Sequence, residues 1–182
     1  MIGLLAALFG TGCKPAASSQ KAQQTGAQAM AELRSMMLTI SASKAGVQPS
    51  ETFPKAFGVL MDMPISGGHT ATVVSMSDGH ASLYTTSTFG VLGGIGHGSV
   101  RIAATNFVRA AQKHYESAAV AAEFPYPVPK HVRFYIVGFD GVRMVDSSID
   151  SAENGTSKLS ELWVAGQQVL TELRLVADKS SQ

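Results

Sequence analysis

The sequence predicts an α+β fold, with a mainly antiparallel sheet of about five strands and elements in the order helix, three strands, helix, two strands, helix. Three observations predict it. Apolar residues recur at spacings of three and four in segments 28–40, 100–115 and 159–176, the period of one helical face. Runs of β-type composition fill the intervals, at 56–63, 70–76, 81–86, 132–139 and 142–145. Asp78-Gly79 and Asp140-Gly141 each separate two such runs, a strong short-range signal for a hairpin of type I′ geometry.

Each element has its own local reason. In 28–40, Met30, Leu33, Met37 and Ile40 share one helical face, and Gly46, Pro49 and Pro54 mark the loop that follows. The run Ala56 to Met63 ends at Pro64, and Ser66-Gly67-Gly68 turns the chain into Thr70 to Met76. Asp78-Gly79 then returns it through Ala81 to Thr86, giving a three-stranded meander. A glycine-rich stretch, Gly90 to Gly98, leads to Ser99 as expected N-cap of a helix from Val100 to Tyr115, whose buried face holds Ile102, Ala103, Phe107 and Ala110. The prolines of 124–129 enforce an extended connector. Val132 to Phe139, Asp140-Gly141 and Val142 to Val145 make the second hairpin, 148–157 reads as a polar loop, and Leu159 to Val176 as the closing helix. The six methionines at 30, 36, 37, 61, 63 and 76 fall at helical or strand spacing and read as core.

Composition narrows the functional classes. The chain has 182 residues, 45% hydrophobic and 15% charged, enough apolar surface for a core and too little charge for a disordered polymer. A formal net charge of +1 offers no basic field, so nucleic acid is not an expected partner. A single cysteine excludes an internal disulfide framework and a cysteine-rich zinc site.

The N-terminus suggests an address. Ile2 to Phe9 is an apolar run too short to span a bilayer but long enough for a secretory h-region. It ends in Gly10-Thr11-Gly12-Cys13, and 14–27 is small and polar. This resembles a bacterial lipoprotein signal, with Gly12 before a Cys13 that would be lipidated. It departs from that pattern at Gly10, where a leucine is usual, and in lacking a basic residue before the apolar run. The resemblance implies a signal segment at 1–12, a polar tether at 13–27, a single domain at 28–182, and a lipid-anchored place in the bacterial cell envelope. The other reading is a cytoplasmic chain with Cys13 in the core.

One stretch could build a site. Gly93, Gly94, Gly96 and Gly98 stand immediately before the second helix, where backbone N–H groups can converge on an anion and the helix adds positive partial charge. His97, Ser99 and Arg101 could add donors, so Gly94, Gly96, His97, Gly98, Ser99 and Arg101 form the candidate ligand-binding set. The segment lacks the Gly-Lys-Ser/Thr ending of a phosphate-binding P-loop and the spacing of a dinucleotide loop. The alternative is a sharp strand-to-helix turn that needs glycine for its backbone alone.

The remaining residues give weaker signals. His69, His80, His97, His114 and His131 show no metal-ligand spacing, although His69, His97 and Asp62 could meet in space. Neither Ser87 nor Ser99 sits in a nucleophile elbow, and Cys13 lies outside the expected domain. Asp62 interrupts an apolar strand and must be exposed or paired, with Arg133 or Arg143 the expected partners across the sheet. No catalytic residue, metal or cofactor is expected.

The element order resembles that of profilin-like and roadblock-like domains over about 28–176. The stretches GVLMDMP, ASLYTTSTFGVLGGIGH and RFYIVGFDGVR resemble an uncharacterised bacterial family. The first resemblance implies pairing through a helix or a sheet edge. The expected function is a non-enzymatic protein-interaction or self-association module. The alternative is an anion- or small-molecule-binding protein, enzymatic or not, built on the glycine loop.

Overall fold

A computed structural model describes residues 17–87 and 90–180. Among these residues the fold is α+β, with one antiparallel sheet of seven strands in the order β4-β3-β2-β1-β6-β7-β5. The strands are β1 (Ala56–Ile65), β2 (His69–Met76), β3 (Ala81–Thr85), β4 (Gly90–Val91), β5 (Ala119–Val120), β6 (His131–Gly138) and β7 (Gly141–Ser148). The helices are α1 (Ala17–Thr39), α2 (Ala42–Ala45), α3 (Gly98–Gln112), α4 (Ile149–Glu153) and α5 (Ser160–Ser180).

The strand count and element order differ from the sequence expectation. β4 and β5 have two residues each, too few for any pattern, and exist only as partners of Leu83-Tyr84 and of Arg143-Met144. They blunt the two sheet edges, which would otherwise present unpaired backbone groups. α4 lies inside the expected polar loop and is started by Ser148, whose Oγ accepts from the Ser151 N–H at 3.2 Å. α1 begins at Ala17 and so reaches into the expected tether 13–27, whose Ala, Gln and Lys residues are good helix formers. Cys13 and the expected signal segment 1–12 lie outside the described residues.

β1 is the central strand and pairs with β2 on one side and β6 on the other. The register in β1 slips between Ala56 and Gly58, so Phe57 and Leu60 share a face although they are three residues apart. Gln112 at the end of α3 serves this irregular start. Its Oε1 accepts from the Lys55 and Ala56 N–H groups at 2.9 and 3.1 Å, and its Nε2 donates to the Thr52 carbonyl at 2.6 Å.

Strand alternation divides the core in two. On one face Val59, Met61, Val73, Phe134 and Ile136 meet Phe107 of α3 and Leu162 and Leu173 of α5. On the other, Leu60, Val74, Tyr84, Tyr135 and Val137 meet Leu38 of α1, with Met30, Leu33, Met37 and Ile40 partly buried beside them. Met36 is 52% exposed and is the methionine that leaves the core pattern. Ile102 also leaves its expected buried face, at 64% exposed.

Both Asp-Gly dipeptides lie at hairpins of this sheet, with Gly79 at φ 93° and Gly141 at φ 137°. Gly79 is the only residue of its turn with positive φ, and the Met76 N–H donates to the His80 carbonyl at 2.8 Å. The loop is thus three residues long with a glycine in the third place, in place of the expected two-residue type I′ turn.

Candidate functional site

The glycine stretch is shaped by packing. Gly93 takes φ 77°, and Gly94–Gly96 form one 3₁₀ turn before α3. Gly94 is buried where a Cβ would lie 2.7 Å from Val100 and 2.8 Å from Leu173. Only a residue without a side chain lets the loop pass between α3 and α5. His97, two residues before the expected Ser99, is the N-cap and makes no side-chain capping bond. Arg101 folds back over the loop, and its Nη1 donates to the Ile95 carbonyl at 2.7 Å. Gly96, His97, Gly98, Ser99 and Arg101 are therefore neighbours at the start of α3, with the first two in the loop and the others in its first turns. Gly94 lies beneath them, against the core.

The buried polar cluster stands on the opposite face of the sheet. Asp62 in β1 is fully buried, and its partner is Arg34 of α1 rather than the expected Arg133 or Arg143. Arg34 Nη2 donates to Asp62 Oδ2 at 2.5 Å and its Nε donates to the same oxygen at 3.0 Å. Thr72 of β2 donates to Asp62 Oδ1 at 2.5 Å. Arg34 Nη1 donates to the Phe124 carbonyl of the proline-rich connector at 3.0 Å, and its guanidinium stacks 4.2 Å from the centre of the Tyr126 ring. One side chain thus ties a helix, the central strand and the connector together.

Burial raises the Asp62 carboxyl above its ordinary value, against the pull of Arg34 and Thr72. Burial also opposes the Arg34 charge, but Asp62, with smaller contributions from Tyr126 and Tyr135, offsets it and the guanidinium is held above its ordinary value. Both oxygens of this acid are engaged by Arg34 and Thr72, so its chemistry is that of a structural ion pair.

The arginines expected beside Asp62 serve other acids. Arg133 Nε donates to Asp146 Oδ2 at 3.1 Å, and Arg143 Nη2 donates to Asp140 Oδ2 at 3.4 Å. The Asp140 carboxylate also takes the Tyr115 hydroxyl, which donates as well to the Gly141 carbonyl. Burial and that carboxylate push the Tyr115 phenol up to about 12, and the Tyr115 bond holds Asp140 below the usual carboxylate range. Tyr115 fills the space over Gly138, where a Cβ would collide with its ring.

The histidines do not converge. His80 pairs with Asp78 at 2.8 Å, His131 with Asp146 at 2.5 Å, and His69 Nδ1 lies 3.3 Å from the Thr86 hydroxyl. Burial holds His114 below its ordinary value. Among the described residues no group of three His, Cys, Asp or Glu could hold a metal ion, and no helix is long and apolar enough to cross a membrane.

A surface that sequence reasoning missed lies on the outside of α3 and α5. These helices run antiparallel, with the α3 start near Leu173 and the α3 end joined to the α5 start by Lys113–Glu161 at 2.5 Å. A cleft of about 440 Å³ runs between them. Its floor is Ala103, Ala110 and Ala165, and Asn106, Arg109, Lys113, Glu161, Val164 and Gln168 form its walls. Val164 is 64% exposed along it, and Ile102, on α3 next to the lining residue Ala103, is equally exposed. The signal in the sequence is faint, because alanines at helical spacing read as core and a lone exposed valine reads as chance.

Compared with protein-family models, curated proteins and solved structures, the chain matches none.

Proposed function

We propose that the protein is a non-enzymatic protein-interaction or self-association module of profilin-like architecture that binds its partner on the outer face of α3 and α5. It is held at the bacterial cell envelope by a lipid on Cys13. The observation that carries the reading is the α3–α5 cleft: an apolar floor, the exposed Val164 on its wall and a rim bearing both signs of charge. Protein interfaces combine an apolar centre with a polar rim in this way. The architecture rests on a single antiparallel sheet with helices on both faces. The anchor rests on the Gly12-Cys13 pattern and on α1, a helix that starts at Ala17 and is fastened to the sheet at Arg34. A photo-crosslinking residue placed at Val164 in cells should give protein adducts, while one at Lys44 on α2, at the far side of the sheet, should not. Equal labelling at both positions would sink the reading.

The second reading is an anion site at Gly94, Gly96, His97, Gly98, Ser99 and Arg101. What favours it is that α3 starts without a side-chain cap, so its first N–H groups are open to water or an anion. Against it stand the packing of Gly94 and the commitment of Arg101 to the Ile95 carbonyl. A titration with inorganic phosphate followed by amide NMR decides between them: shifts confined to 96–101 support an anion site, and shifts elsewhere or none remove it.

A further inference from the structure

We infer that the partner on this face is a second copy of the same chain, with α3 of each copy lying on α5 of the other about a twofold axis parallel to the helices. The inference rests on the docking-face reading above and adds the identity and register of the occupant. Charge distribution carries it. α3 contains no acidic residue, and Arg109 and, just beyond its end, Lys113 stand exposed beside the cleft. α5 supplies the acid at the cleft, Glu161 on its wall, while its basic residues Arg174 and Lys179 lie toward its far end, Arg174 with Asp178 lining a separate groove against the sheet. Placing α3 on α3 would stack basic side chains with no acid between them. Placing α3 on α5 sets Arg109 and Lys113 of one copy against Glu161 of the other, and the twofold repeats that match on the far side.

Shape agrees with charge. α3 and α5 are antiparallel, so Lys113 and Glu161 stand at one level and Val164 stands beside Ala110. With the axis along the cleft, each residue keeps its level, and Val164 of one copy enters the hollow over Ala110 of the other. The Lys113–Glu161 bridge supports sharing across copies: its side chains are 57% and 63% exposed, so an approaching charge can reach both. Arg109 bonds only to Asn106 Oδ1, at 2.6 Å on its own helix, which leaves its charge without an acidic partner among the described residues.

Sedimentation of the full chain in reducing buffer, at concentrations on the order of 50 µM, should show a dimer. Lys113→Glu and Glu161→Lys should each weaken it by about tenfold or more, because each sets like charges together across the axis. Mixing the two variants should restore a dimer, since opposite charges then face each other again across the axis at both contacts. Circular dichroism of each variant should match the parent, as both positions are exposed. A monomeric parent, a dimer indifferent to both variants, or a mixture that stays monomeric overturns the inference. If the parent is monomeric while Val164 crosslinks to a different protein in cells, the docking face survives and only the second copy fails. If Val164 crosslinks to nothing as well, both fail.

Discussion

The two faces of the sheet are held in different ways. Toward α3 and α5 the contact is apolar and closely fitted: Gly166 of α5 sits where a Cβ would come within 2.6 Å of Met61 and 3.1 Å of Phe107. Toward α1 a smaller apolar cluster surrounds the Arg34–Asp62–Thr72 group. An apolar contact is indifferent to protonation and tolerant of small shifts. A buried ion pair offsets its own desolvation only while both partners and their geometry are in place. The first face therefore supplies stability, and the second supplies a defined position for α1 under a narrower range of conditions.

Breaking the apolar face should have the larger effect. Phe107 is fully buried and lies edge-on to Phe134 at 6.3 Å. Phe107→Ala should cost about 4 kcal/mol, the usual size for deleting a buried ring, and chemical denaturation at about pH 4 and about pH 7 should give the same loss. A loss that varied with pH would mean that this face also depends on a titrating group.

The polar face should respond less, and with a pH signature. Arg34→Met leaves Asp62 buried with Thr72 alone and should cost about 3 kcal/mol at neutral pH. Without the guanidinium, burial raises the folded-state value of this carboxyl further above the unfolded one. Stability from such a group is present below the unfolded value, about pH 4, and lost as pH rises through the folded value. The deficit of the variant should therefore shrink on acidification, the reverse of ordinary acid denaturation. A deficit that grew toward low pH would show that Asp62 is not the group responsible.

The smallest effect should come from removing both charges. Arg34→Met with Asp62→Leu leaves no orphan ion, and denaturation should place it within about 1 kcal/mol of the parent. A double variant as unstable as the single one would mean that the bonds to the Phe124 carbonyl and the Tyr126 ring, rather than the ion pair, hold α1.

The contrast also explains which parts were legible beforehand. The α+β class was legible from two signals: apolar spacing marked the three long helices, and β-type composition with the Asp-Gly turns marked the five longer strands. The two-residue strands were not legible, since pairing geometry alone defines them. The need for a carboxylate partner at Asp62 was legible, but not its identity. Arg133 does lie opposite Asp62 in the sheet register, yet its guanidinium turns to Asp146. The overlooked signal was Arg34, four residues from both Met30 and Leu38 and so on the buried face of α1, where an arginine requires an acid. At the glycine loop the sequence left two readings open, an anion cradle or a sharp strand-to-helix turn that needs glycine for its backbone. Gly93 at φ 77° gives the second a backbone cause, and the approach of Val100 and Leu173 to Gly94 adds a steric one.

The position of β1 has a consequence for the order in which the chain folds. β1 meets β2 across a short local turn, whereas its other neighbour, β6, lies beyond β2, β3, α3 and the connector. The hairpins β1–β2 and β6–β7 are local and cheap in loop entropy, while their junction must close a long loop before any contact across it is gained. Closing that seam, where Val59 faces Ile136 and Met61 faces Phe134, carries the largest loop-closure cost and is the step expected to limit folding. Arg34 can meet Asp62 and the Phe124 carbonyl together only once that seam has closed, so α1 is expected among the last elements to reach its place.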